Sequence, residues 1–289
     1  MKEKLIITAA VAGGATFKHN NPNVPYTPEE FADECEKCLQ EGATIVHIHA
    51  KDPDTGNATM DPVRIRETVE AVRERSPELI INLSTGAMNT PPEDRINPVK
   101  DVRPEMASYN TNSMNFALAR HKTGEILMEF VYDNTFAMMA DFARKMKEWE
   151  VKPECEIFDP GGLYNCLLIR RQGDMFEDPM HFQFVYGVAG GMPFDPQLHL
   201  ALLNLLPKDA TYSVCGIAPN QYWGAFMAAI TGGHIRVGLE DNIKMPDGQL
   251  AKGSWEQVTW VKQIAHISGR PVATPDETRD ILHLRKKTV

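Results

Sequence analysis

Short apolar runs alternate with amphipathic segments along nearly the whole chain. The runs at 5–11, 44–50, 79–83, 106–109, 153–158, 182–188, 212–217 and 234–237 predict eight strands. Between them, 28–41, 62–76, 135–149, 196–206, 221–230 and 255–268 carry helical spacing, and another helix follows Gly161-Gly162 to about Arg171. Thr27 is placed to cap the first helix, with Pro28 at its first position and Glu29 and Glu30 in its first turn. Residues 15–26 read as a polar loop, and 85–100, with three prolines, as a loop or short helix. Residues 113–133 fit neither period, although 130–132 suit a small extra strand. Lys286-Lys287 reads as a solvated tail.

Eight strand–helix repeats without a long linker predict an α/β chain closed into a (β/α)8 TIM barrel, one domain over 1–289. The open doubly wound sheet is the alternative. It commonly carries G-x-G-x-x-G after a strand, and no strand here is followed by one.

Composition narrows the class of partner. The 289 residues are 43% hydrophobic and 24% charged, enough for a full core, and the net charge of −9 speaks against nucleic acid as a partner. No stretch approaches the ~20 apolar residues of a membrane span. Lys2 and Lys4 before an apolar run imitate a signal peptide, but Glu3 interrupts the basic region and the run reads better as the first strand. The five cysteines form no scaffold pattern, so free thiols in a reducing cytoplasm are expected. Cys35-x-x-Cys38 lies in a helical pattern without a second pair and reads as two thiols one turn apart.

The chemistry gathers where strands end, since active sites of such barrels lie at the C-terminal edge. His47 and His49 lie two apart in an apolar, β-branched run, and on a strand both imidazoles face the same way. Such a pair binds one metal ion or packs in a core; the run alone leaves both open. The ends of the next strands offer Asn82, Ser84, Thr85, Glu105, Ser108, Asn110, Glu154, Glu156 and Asp159. The last strand runs into Arg236-Val237-Gly238-Leu239-Glu240-Asp241-Asn242. If that run stays extended, Arg236, Gly238 and Glu240 share a face, and Glu240 completes a His-His-Glu set with an open metal position. A surface ion pair is the plain alternative for Arg236 and its acids. His234 begins its strand and is expected at the far end. The remaining histidines, at 19, 121, 181, 199, 266 and 283, read as structural or solvated. A metal with an open position polarises a carbonyl, a carboxylate–guanidinium pair handles a proton, and hydroxyls at Ser84 and Ser108 stabilise charge on oxygen. These parts suit carbon–carbon bond chemistry beside a ketone, or hydrolysis.

Several motifs match a known family. Pro25-Tyr26-Thr27-Pro28-Glu29-Glu30, Val46-His47-Ile48-His49, Leu83-Ser84-Thr85-Gly86, Pro104-Glu105-Met106-Ala107-Ser108 and Gly187-Val188-Ala189-Gly190-Gly191 occur in order. Gly232-Gly233-His234-Ile235-Arg236-Val237-Gly238-Leu239-Glu240-Asp241-Asn242 and Gly269-Arg270-Pro271-Val272-Ala273-Thr274-Pro275 follow them. With these the chain resembles the β-keto acid cleavage enzymes. The resemblance implies a zinc-dependent barrel that condenses a β-keto acid with acetyl-CoA and releases acetoacetate and a new acyl-CoA. It implies His47, His49 and Glu240 as Zn2+ ligands and Asp241 with Arg236 as the proton-removing pair. Ser84 and Ser108 match positions that contact substrate or stabilise oxyanions, and Glu156 matches an acidic position in the site. Thr85, Gly86, Asn110 and Ala15 join the expected substrate-binding set. A cytoplasmic homo-oligomer, with a tetramer favoured, is implied as well.

Two departures bear on the substrate. The typical aminohexanoate enzyme has a glutamate that recognises an amino group where this chain has Ala15, which points to a differently charged or neutral side group. Many members carry Gly-Ile-Gly-Arg where this chain reads Gly216-Ile217-Ala218-Pro219-Asn220. A metal-dependent hydrolase on the same barrel, or a non-catalytic metal- or solute-binding protein, are the competing readings.

Overall fold

The computed structural model describes residues 3–120 and 122–285. The expectations for Lys2, His121 and the Lys286-Lys287 tail lie outside the described residues. In chain order the elements begin β1 (Ile7–Ala12), α1 (Pro28–Glu41), β2 (Ile45–Ile48), α2 (Pro62–Arg75), β3 (Ile80–Leu83), α3 (Pro92–Val102) and β4 (Met106–Asn110). Then come β5 (Met114–Arg120), β6 (Glu125–Tyr132), α4 (Phe136–Glu148), β7 (Lys152–Ile157), α5 (Pro160–Arg170), β8 (His181–Tyr186) and α6 (Pro196–Leu203). The last are β9 (Thr211–Gly216), α7 (Asn220–Thr231), β10 (His234–Val237), α8 (Ser254–Ser268) and α9 (Pro275–Leu282).

Eight strands close into a barrel in the order β1-β10-β9-β8-β7-β4-β3-β2, joined by parallel pairing throughout. Parallel strands covered by helices are buried on both faces, which is why they read as near-continuous apolar runs. Closure sets β1 between β2 and β10, with Ala10 opposite His47 and Thr8 opposite Arg236. β1 reads Ile-Thr-Ala-Ala-Val-Ala, and its small side chains leave room for groups from the flanking strands.

α1 forms as its sequence predicts. Thr27 Oγ1 accepts the Glu30 N–H, the Glu30 carboxylate accepts the Thr27 N–H, and Gly42 ends the helix in the left-handed region. Cys35 and Cys38 are buried free thiols, and burial pushes both thiol pKa values up, so they are inert. Among the described residues no helix is long and apolar enough to cross a membrane.

Three segments differ from the expectation or complete it. Residues 92–102 form helix α3 with Pro98 inside it; Ile96, Val99 and Val102 are buried at helical spacing, and this packing outweighs the missing proline N–H. Residues 113–133 fold as the antiparallel hairpin β5–β6, inserted between β4 and α4 outside the barrel order. α9 adds a capped helix after the expected last one.

Candidate metal centre and active site

β2 and the turn after β10 bring three ligand-type side chains together. His47 Nε2 lies 3.7 Å and His49 Nε2 3.5 Å from Glu240 Oε1, and ligand atoms of all three lie within 4.8 Å of one another. His47 is inside the barrel, while His49, one residue beyond β2, is at its rim. The other Glu240 oxygen, Oε2, is buried without a hydrogen-bond partner, and so is His47 Nδ1. A buried carboxylate oxygen without a partner is rare in a folded protein and marks a place for a further group. Two imidazoles and a carboxylate with one free oxygen are a donor set that fits a divalent transition metal such as zinc, with a position left open.

The local backbone explains the convergence. The run after β10 does not stay extended, contrary to the sequence expectation. Gly238 has φ +154°, and the N–H groups of Asp241 and Asn242 donate back to its carbonyl at 3.1 and 3.0 Å. A Cβ at Gly238 would lie 2.0 Å from the Ala10 carbonyl oxygen, so glycine is required where the chain crosses β1. A Cβ at Gly13 would lie 2.3 Å from Glu240 Cγ, so the end of β1 is bare where Glu240 crosses it.

Arg236 is the hub of the acidic side. Its Nη2 donates to Glu240 Oε1 at 2.6 Å, while Nε and Nη2 grip Asp241 at 2.8 and 2.9 Å. Its Nη1 donates to Gln183 Oε1 at 3.3 Å and lies 3.9 Å from Glu156 Oε1. Burial works to raise the Glu240 carboxyl, but Arg236 and the two imidazoles hold it well below its ordinary value. Burial raises Asp241 against the pull of Arg236, and Glu240 adds to the rise. Burial pushes Glu156 up to about 8, with Arg236 opposing and the neighbouring carboxylates adding to it. Burial lowers His47 to about 3, which keeps its imidazole neutral and able to ligate.

The other residues singled out by sequence fall in different places. Ser84 follows β3, and its Oγ accepts the Gly86 N–H at 3.1 Å. Ser108 sits beneath that turn and accepts the Thr85 N–H at 2.9 Å, while Thr85 Oγ1 donates to the Ser108 carbonyl. Asn110 ends β4 buried, with neither atom of its amide partnered. Ala15 is exposed on the loop after β1, two residues beyond Gly13. Glu105 does not lie at a C-terminal strand end: it precedes β4, at the opposite edge, and accepts two hydrogen bonds from Arg279. Glu154 lies mid-strand inside the barrel, where it accepts from Asn82 Nδ2 at 2.5 Å beside His181. Asp159 caps α5 and accepts from Asn112. His234 packs at the far end, where its Nδ1 accepts the Ile6 N–H.

Sequence reasoning missed Gln183, Tyr132 and Arg95. Gln183 had a signal, since His181 and Gln183 are the polar alternate positions of an otherwise apolar strand. Tyr132 closes the hairpin strand β6 and is buried against Phe158, Val185 and Cys215, on the side of the barrel that carries Glu156.

Residues 4–284 match the family described as beta-keto acid cleavage enzyme. The chain is 39% identical over 285 residues to the 3-keto-5-aminohexanoate cleavage enzyme of Acetoanaerobium sticklandii, covering 98% of this chain and 100% of that one. It is 32% identical over 287 residues to the 3-oxoadipate:acetyl-CoA acetyltransferase of Cupriavidus necator, covering 98% and 96%. Among solved structures, a ternary complex of ObcA with a C4-CoA adduct and oxalate shares the fold, with a TM-score of 0.74, 22% identity, and coverage of 91% of this chain and 68% of that one. By the family match and its near full-length relatives, the chain belongs to the beta-keto acid cleavage enzyme family.

Proposed function

We propose that the protein uses acetyl-CoA to cleave a β-keto acid, with release of acetoacetate and an acyl-CoA, in one catalytic domain spanning 1–289. The observation that carries this reading is the single guanidinium of Arg236, which holds Glu240 beside two imidazoles and Asp241 beside it. The names of relatives agree with it: one is named for 3-keto-5-aminohexanoate cleavage and another for acetyl transfer between 3-oxoadipate and acetyl-CoA. The reading extends to a cytoplasmic homo-oligomer, with a tetramer favoured.

His47, His49 and Glu240 would hold zinc, which when bound polarises the keto oxygen and makes the adjacent carbon acidic. Asp241 accepts the proton from that carbon, and Arg236 keeps its carboxylate aimed and balances the charge. The resulting carbon nucleophile attacks the acetyl carbonyl, forms a carbon–carbon bond and expels the CoA thiolate. That thiolate then attacks the original keto carbon. The old carbon–carbon bond breaks, an acyl-CoA leaves, and the carbanion reclaims a proton to give acetoacetate. Ser84 and Ser108 supply hydroxyls near the turn that faces His49, and Glu156 flanks Arg236 on the far side.

The test is a mass-spectrometric screen of β-keto acids with acetyl-CoA. Acetoacetate and a new acyl-CoA are expected from at least one acid, and Asp241→Asn should lower kcat about 10²–10⁴-fold with metal content unchanged. No acetoacetate from any acid in a broad panel, with zinc-loaded protein, would defeat the reading.

A further inference from the structure

Arg95 is a buried cation whose partners are all neutral. Its Nε donates to the Thr85 carbonyl at 2.9 Å, Nη1 to the Asp133 carbonyl at 3.0 Å, and Nη2 to Tyr132 Oη at 3.2 Å and Asn134 Oδ1 at 2.9 Å. Nη1 also lies 3.6 Å from Met138 Sδ, and the guanidinium stands over the Tyr132 ring. Among the described residues no carboxylate lies within ion-pair distance of it. A desolvated guanidinium is costly unless an anion balances it. Arg95 is 3% exposed, so solvent supplies little of that balance.

Tyr132 stands between this cation and the metal centre. Its Oη accepts from Arg95, which leaves the phenolic proton free to donate elsewhere. Its hydroxyl converges with Ser84 on the Gly86 turn beside His49: a Cβ at Gly86 would lie 3.1 Å from Tyr132 Oη, 3.4 Å from Ser84 Oγ and 3.9 Å from His49 Cε1, so a side chain there would crowd both hydroxyls. Ser84 Oγ likewise accepts, from the Gly86 N–H, and has its own proton to give. Two hydroxyl donors therefore converge beside His49, one of the three candidate metal ligands, with a positive charge behind one of them. That arrangement suits an anionic oxygen.

We infer that Tyr132 is a further substrate-binding residue, whose hydroxyl, backed by Arg95 and joined by Ser84, donates to the carboxylate of the β-keto acid. This rests on the proposed function, which supplies the acid. Arg95 acts through Tyr132 and the Ser84-Thr85-Gly86 turn and is a positioning residue.

The experiment is calorimetric binding of acetoacetate to the zinc-loaded wild-type protein and to Tyr132→Phe, with acetylacetone, a β-diketone without the carboxylate, as the comparison. Phenylalanine keeps the ring and loses the hydroxyl. A hydrogen bond to a charged group predicts acetoacetate binding weakened roughly ten- to hundredfold, acetylacetone binding changed less than about twofold, and zinc content unchanged. In turnover with an accepted acid, KM should rise by a similar factor while kcat holds. Wild-type affinity for acetoacetate in a folded, zinc-loaded Tyr132→Phe overturns the inference, as does an equal loss for both ligands. Should Tyr132→Phe fail to fold, Gly86→Ala decides: a methyl pressed against Tyr132 Oη and Ser84 Oγ must weaken acetoacetate, and undiminished binding there overturns the inference. If wild-type protein neither binds acetoacetate nor turns over any acid, the functional reading falls and this inference with it. Turnover by wild type with an unaltered Tyr132→Phe removes the inference alone.

Discussion

The two walls of the site are built by different means. On one side, β2 and the turn after β10 carry His47, His49, Arg236, Glu240 and Asp241; parallel pairing to β1 sets the register of His47 and Arg236, and the Glu240 N–H donates to the Ala10 carbonyl at 3.1 Å. On the other, Tyr132 is carried by an antiparallel hairpin outside the barrel, tied by Arg95 to the turn after β3. The first wall is held by the closed backbone ladder, which fixes side chains on neighbouring strands relative to one another. The second is held by side-chain hydrogen bonds from one arginine and by edge-to-face contacts of Tyr132 with Phe116 and Phe130. The contrast implies that the first wall should tolerate damage to the hairpin wall.

The largest expected effect comes from the ladder side. His49→Ala should lower zinc affinity by more than about a hundredfold and activity with it, while the melting temperature of the metal-free protein moves little, because His49 lies beyond the strand. Metal analysis and thermal unfolding check this. Retained zinc with undiminished turnover would show that the ligand wall is misassigned.

Next is the tie between the walls. Arg95→Leu leaves the carbonyls of Thr85 and Asp133 and the Asn134 side chain without a donor, and should destabilise by about 2–4 kcal/mol in denaturant unfolding. Zinc content should be retained. Loss of zinc together with stability would mean that the two walls are one unit.

The smallest effect is at Glu156, between the walls, facing Arg236 and within the field of Tyr132. Its carboxyl titrates near 8 in the fold and near 4.5 unfolded. Below pH 4.5 both states are protonated and nothing is lost. As pH rises from 4.5 to 8 the unfolded state releases its proton first, so stability falls across that window and levels off above it. Glu156→Gln should remove this slope and make the metal-free protein about 1–4 kcal/mol more stable than wild type at pH 8, with little difference at pH 4. Equal slopes for the two proteins would show that Glu156 ionises freely and that the gap between the walls is wet.

How far each wall was legible in sequence follows the same division. His47 and His49 declare themselves through period-two spacing in an apolar run, a local property that needs no knowledge of the fold. Arg236, Glu240 and Asp241 are close in the chain, so their grouping was visible too, although the expected extended geometry gives way to a turn at Gly238. Tyr132 and Arg95 are 37 positions apart, in segments whose local signals were weak. Pro91, Pro92 and Pro98 disguised α3, and the hairpin strands alternate poorly because much of β6 is exposed. Glu105 shows the converse: it stands just before the 106–109 run, so the expected strand start already put it at the N-terminal edge, and the structure pairs it there with Arg279.

The sequence by itself determined the strand–helix alternation, the barrel it closes into and the strand ends that carry the candidate ligands, because side-chain periodicity and turn chemistry are local. The tertiary structure decided that β1 is the small-residue spacer between β2 and β10, that Gln183 and Glu156 face Arg236, and that a buried Arg95, with no carboxylate in ion-pair distance among the described residues, lies behind Tyr132. Those depend on which distant segments closure of the sheet brings together, and no local pattern records that pairing.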